Sequence, residues 1–155
     1  MGINEKIQQK EFESEVQKAI VNIHFTQSYF SGLVHNALKP YKISSQQFNV
    51  LRILKGKDPE PISINEISER MIDRMSNASR LVDKLCLKGL AIRSQSESDK
   101  RQVNVGITVF GKGVLKGLNT SIDEVIKSHN TFLSLEEFQK LNQLLDKVRN
   151  DESDK

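Results

Sequence analysis

Between residues 74 and 84 the chain carries six side chains suited to a nucleic-acid surface: Arg74, Ser76, Asn77, Ser79, Arg80 and Lys84. Arginine can pair bidentately with guanine, asparagine with adenine, and serine with a base edge or a phosphate oxygen. Ala78, Leu81, Val82 and Leu85 recur among them at helical spacing, so a single helix would bury its apolar side and turn its polar side outward. A second group follows at Asp99, Lys100 and Arg101. A slim cation such as Arg101 could enter a narrow minor groove, where negative potential concentrates. Lys100 would then meet a phosphate, and Asp99 would aim a neighbouring arginine through a salt bridge or loop hydrogen bond. Taken alone, these groups also fit a solvated surface helix and a solvated hairpin.

Other chemistries find little to work with. The sequence holds no nucleophile motif, no carboxylate pair with a supporting histidine and no phosphate-cradling glycine loop, so catalysis is not expected. Cys86 is the single cysteine, which excludes an intrachain disulfide and a cysteine-based metal framework. Its place between Leu85 and Leu87 points to a buried, inert thiol. His24, His35 and His129 show no metal-ligand spacing, and neither a metal nor a cofactor is expected. No apolar run approaches the roughly 18 to 20 residues that a membrane span needs. Residues 1–10 contain no signal-peptide core, so the expected compartment is the cytoplasm.

The elements that would hold the polar groups are legible from periodicity. A glycine, Gly89, stands where the helix over residues 77–88 should stop in a left-handed cap. Residues 91–94 and 103–107 are β candidates, the second alternating Val103, Val105 and Ile107 against polar or small neighbours. Upstream, Ser63 and Glu66 form a capping-box pattern that opens a short helix, with a turn over residues 73–76. Helix, turn, helix and hairpin in that order make a winged helix-turn-helix. Around it lie a long amphipathic helix running from Val16 to the stop at Pro40, and a helix over residues 45–55 opened by Ser44 and Gln47. Two more follow, one from Gly111 and one opened by Ser134 and Glu137. The long helix has more apolar face than so small a domain can bury, and should meet the C-terminal helices of its own or another chain.

Charge is placed to match. The 155-residue chain carries only +3 overall, but residues 74–101 carry +4, from seven basic and three acidic side chains. Residues 1–50 carry +1 and residues 113–155 carry −2. Positive charge concentrated on the central element is the footprint of a phosphate-facing surface.

Residues 63–108 resemble the winged helix of the MarR (multiple antibiotic resistance regulator) family. The run from Ser76 to Leu85, followed by Lys88-Gly89-Leu90-Ala91-Ile92-Arg93, is similar to that family's recognition helix and first wing strand. Asp99-Lys100-Arg101, then Val103, Val105, Ile107-Thr108 and Gly111, resembles its wing signature. With the helix order outside this stretch, the resemblance covers roughly residues 11–149. It implies a mainly α fold with a small β-hairpin wing, in which residues 1–42 and 111–155 form a helical dimerisation region and residues 43–110 the DNA-binding region. It also implies a homodimer placing two recognition helices about one DNA turn apart over a pseudo-palindrome. Family members often answer to small phenolic or anionic ligands. Ile72 and Asp73 depart from the family's usual turn residues, and Asp73 is a candidate cap for the recognition helix. Val109 and Phe110 replace polar residues after the threonine. The reactive N-terminal cysteine of the family's thiol-sensing branch has no counterpart here.

An effector pocket would draw on the first two long helices, where His24, Phe25, Tyr29, His35 and Phe48 supply aromatic and imidazole groups. The same residues also suit a core or a dimer seam. The expected partners are therefore double-stranded DNA, a second copy of the chain and a small aromatic or anionic effector. The resemblance favours a ligand-responsive repressor. The competing reading is a winged helix used to bind a protein rather than DNA.

Overall fold

The computed structural model describes residues 1–95, 102–129 and 132–149. A four-residue helix, α1 (Ile3–Lys6), stands apart from the long helix α2 (Glu15–Leu38). Ser14 opens α2 by accepting from the Gln17 N–H at 3.1 Å. The long helix ends in a 3-10 turn over Lys39–Tyr41, with Pro40 in its first turn. In α3 (Ser45–Lys57) the expected capping box is present: the Ser44 hydroxyl accepts from the Gln47 N–H, and Gln47 reaches back to the Ser44 N–H at 3.0 Å. The same reciprocal pair, Ser63 with Glu66, opens α4 (Ile64–Arg70).

The recognition-type helix is α5 (Ala78–Leu87), and the two long C-terminal helices are α6 (Val109–His129) and α7 (Leu135–Arg149). Ser134 and Glu137 cap α7 as their spacing implies. Three strands form one antiparallel sheet in the order β1-β3-β2, with β1 at Ile62–Ser63, β2 at Ala91–Gln95 and β3 at Val103–Ile107. The pair β2–β3 is the expected hairpin, with Ala91 opposite Ile107 and Gln95 opposite Val103. Strand β1 is an addition that periodicity does not predict. Two residues give no readable alternation, and their pairing partners, Val105 and Asn104, lie about 40 residues away along the chain. The fold is mainly helical with a small sheet forming the wing, as the sequence implies.

One core joins these pieces. Leu51 and Leu54 of α3, Ile67 of α4, Val82 and Leu85 of α5, Val105 of β3 and Leu118 of α6 are all almost completely buried in it. Helices α2 and α7 behave differently. Only Leu38 of α2 is buried, and no residue of α7 is. Ile20, Ile23 and Phe30 of α2 and Leu141, Leu144 and Val148 of α7 are exposed apolar side chains. A groove of about 610 Å³ runs between the two helices, lined by Ile23, Phe30, Leu141, Leu144, Leu145 and Val148 among others.

Candidate nucleic-acid interface

Helix α5 is fixed at both ends and along one side. At its N-terminus Asn77 is the cap, its Oδ1 accepting from the Arg80 N–H at 3.0 Å. At its C-terminus Gly89 adopts φ +69°, and two 2.9 Å bonds close the last turn, Leu90 N–H to the Leu85 carbonyl and Gly89 N–H to the Cys86 carbonyl. That paired arrangement satisfies the last carbonyls and needs a residue that tolerates left-handed backbone. Ala78, Val82 and Leu85 are buried, with Leu81 packed beside them. The helix therefore has one orientation available, and its other face must look outward.

Asp73 does not cap this helix. Its carboxylate instead holds the preceding turn, accepting from the Met75 N–H at 3.1 Å and from the Ser76 hydroxyl at 2.8 Å. The cap falls to the Asx residue directly before the helix, Asn77, which stands where the apolar periodicity begins. The bond from Ser76, followed by that from Met75, holds the Asp73 carboxyl below its ordinary pKa. A depressed carboxylate stabilises the fold above the ordinary range near pH 4, and that contribution is lost as pH falls through the lowered value. The Ile72 N–H donates to Asn49 Oδ1 at 2.9 Å, tying the turn to α3.

Of the six side chains expected to face DNA between residues 74 and 84, three are already engaged within the chain. Ser76 donates to Asp73, Asn77 commits Oδ1 to its cap, and the Ser79 hydroxyl accepts from the Arg93 guanidinium at 3.2 Å. Arg74, Arg80 and Lys84 are exposed, and their charged ends make no hydrogen bond or ion pair among the described residues. Arg80 and Lys84 lie one helical turn apart on the outward stripe. Asp99, Lys100 and Arg101 lie outside the described residues. The hairpin carries the chain toward them through Gln95 and Gln102, with Val103 and Gln95 as its outermost pair.

Arg93 of β2 has a place in this interface that sequence reasoning missed. Its guanidinium pairs with Asp83 at 2.8 Å and also reaches Ser79, so the first wing strand grips the recognition helix across its outer flank. The available signal was alternation in β2: Ala91 is buried, and a side chain two positions on shares its strand face near α5. Cys86, partly buried, has its thiol pKa raised by burial, which outweighs the nearby Arg93 cation. A raised pKa means little thiolate and low reactivity.

The root of the wing is equally specific. The Thr108 hydroxyl donates to the Gly89 carbonyl at 2.7 Å and accepts from the Gly111 N–H at 2.9 Å, while the Thr108 N–H meets the Leu90 carbonyl at 3.1 Å. These bonds join the end of α5 to the start of α6. Gly111 sits so close to the hairpin that a Cβ there would stand 2.1 Å from the Leu90 carbonyl oxygen. Lys88 also donates to the Lys42 carbonyl, linking the end of α5 to the chain before α3.

The side chains expected to form an effector pocket lie in different surroundings. Phe48 is buried in the core with Arg52 over its ring at 5.8 Å. The Tyr29 hydroxyl bonds to His129 Nε2 at 3.0 Å inside an aromatic group completed by Phe30 and Phe132. His24, Phe25 and His35 are exposed along α2. A cavity of about 450 Å³ does lie where α2 meets α3 and the turn before α5. Its walls include Phe30, Val34, Gln46, Asn49, Ile72 and Asp73.

Among the described residues no group of three or more His, Cys, Asp or Glu could hold a metal ion. No described helix is long and apolar enough to cross a membrane.

Comparison with known proteins places this geometry. The model of the MarR family matches residues 43–103, from just before α3 to the first residue of β3. The HTH-type transcriptional regulator SarU of Staphylococcus aureus is 24% identical over 104 residues, which are 67% of this chain and 42% of SarU. The chain thus matches about two fifths of that relative's length. The HTH-type transcriptional regulator MgrA of the same organism is 29% identical over 77% of both chains. The crystal structure of a mutant MarR from E. coli complexed with operator DNA superposes with a TM-score of 0.76 at 23% identity, covering 90% of this chain and 99% of that one. At that identity the likeness shows the fold.

Proposed function

We propose that the chain, whose residues 43–103 match the model of the MarR family, is a dimeric, sequence-specific DNA-binding transcription regulator that acts as a ligand-responsive repressor. The observation that carries this reading is the outward face of α5, a helix locked at both ends that presents Arg80 and Lys84, with Arg74 in the turn before it, none of them with a partner among the described residues. Such a face concentrates positive potential where phosphates would meet it. Residues 43–110 make the DNA-binding region, with Lys100 and Arg101 as the wing's contacts and Asp99 as their support. Residues 1–42 and 111–155 make the dimer. The second copy would cover the apolar faces of α2 and α7, which one chain leaves in water.

The effector, in this reading, enters the cavity between α2, α3 and the turn. Its walls hold Phe30, Val34 and Ile72 with neutral amides, no basic side chain, and the Asp73 carboxylate. An aromatic molecule without negative charge suits it better than an anion, because a carboxylate would meet Asp73 with no cation to compensate. Occupancy would press on Ile72 and Asp73, the residues that hold the turn leading into α5.

Selection from a random duplex pool tests the proposal. The expected product is a pseudo-palindrome with half-sites one helical turn, about 34–36 Å, apart. Failure to enrich any duplex at low salt would contradict it and favour a winged helix that binds a protein.

A further inference from the structure

At the start of the recognition helix three polar side chains are engaged within the chain, and among the exposed ones stands an apolar side chain. The Ser76 hydroxyl donates to Asp73, Asn77 Oδ1 accepts from the Arg80 N–H, and the Ser79 hydroxyl accepts from Arg93. Met75, directly before Ser76, is 94% exposed. Its backbone is not loose, because its N–H is held by Asp73. A thioether side chain thus stands in solvent on a fixed turn, with Arg74 and Arg80 before and after it along the chain. In a helix-turn-helix this end of the helix approaches base edges. The one apolar group on the floor of the major groove is the C5-methyl of thymine.

We infer that Met75 reads a thymine methyl in each half-site, so that part of the sequence preference is apolar rather than hydrogen-bonded. This deepens the proposed function and rests on it. Met75 gains from burial on DNA what the folded chain leaves in water, while Arg74 and Arg80 on either side take phosphate or guanine. Its length and three rotatable bonds let it follow a methyl without exact register.

Replacing thymine by deoxyuridine removes that methyl and nothing else, so the test uses the selected duplex with each thymine replaced in turn. One position per half-site should lose roughly fourfold in affinity, the scale of one methyl-sized group taken from water. The Met75→Ala variant should bind the parent duplex more weakly and no longer distinguish thymine from deoxyuridine there. Met75→Leu should keep the distinction. Equal losses for the full chain and Met75→Ala at every thymine, or no loss at any, would overturn the inference while leaving DNA binding intact. Absence of duplex binding at low salt would overturn the regulatory reading along with it.

Discussion

Asn77 shows how one side chain can carry two duties that pull apart under mutation. Its Oδ1 caps α5 through the Arg80 N–H, leaving Nδ2 as its free donor. Bidentate pairing with adenine needs both atoms, so base reading by Asn77 competes with the cap unless Oδ1 accepts twice. Asn77→Ala should therefore cost about 1 kcal/mol of stability, the usual scale for a lost cap, as well as relaxing base preference. Asn77→Asp should keep the cap and the melting temperature but weaken duplex binding, since it replaces a donor with a charge that phosphates repel. Thermal unfolding beside a binding titration separates the two, and an unchanged melting temperature for Asn77→Ala would remove the cap from the account. The residues expected at this surface were readable because helical spacing needs only the local chain. What they do there was less readable. Whether Ser79 faces DNA or Arg93 depends on where β2 packs, and whether Asp73 or Asn77 is the cap depends on where the turn closes.

At the scale of elements, local devices were legible and remote ones were not. The Ser44–Gln47, Ser63–Glu66 and Ser134–Glu137 pairs each lie within one helical turn, and Gly89 is needed at the next residue after a helix cap. By contrast, β1 exists only because β3 offers it Val105 and Asn104. The separate α1 reflects a break in apolar spacing before Val16 rather than a breaker residue. The cavity proposed for an effector draws on α2, α3 and a turn, so no single stretch announces it. The junction of hairpin and α6 lies between these cases. The sequence marked Thr108 and Gly111 together, and the structure gives the reason: Thr108 bridges Gly89 and Gly111, and Gly111 lets α6 close on the Leu90 carbonyl. Gly111→Ala would set a Cβ 2.1 Å from that backbone oxygen, which cannot rotate away. Overpacking of this kind should cost about 2–3 kcal/mol, lowering the melting temperature by roughly 5–10 °C in a chain of this size. A denaturation scan measures it, and a loss of less than about 1 °C would mean that the junction yields easily.

For the whole molecule, the organising fact is an imbalance. Residues from α3 to α6 share a closed core, while α2 and α7 turn apolar stripes outward across a groove. In the proposed dimer a second copy would resolve it and at the same time pair two α5 helices on one duplex. Each copy would then bring Arg80 and Lys84 from the helix face, Arg74 from the turn before it, and Lys100 and Arg101 as the proposed wing cations. The most direct test is the salt dependence of binding to the selected palindrome, compared between the full chain and its Arg80→Ala/Lys84→Ala variant. Each phosphate neutralised contributes roughly −0.9 to the slope of log affinity against log salt. Two cations removed from each of two copies should flatten that slope by about 3 to 4. A slope unchanged by the double substitution, or binding indifferent to salt in the full chain, would contradict a paired recognition helix seated on DNA.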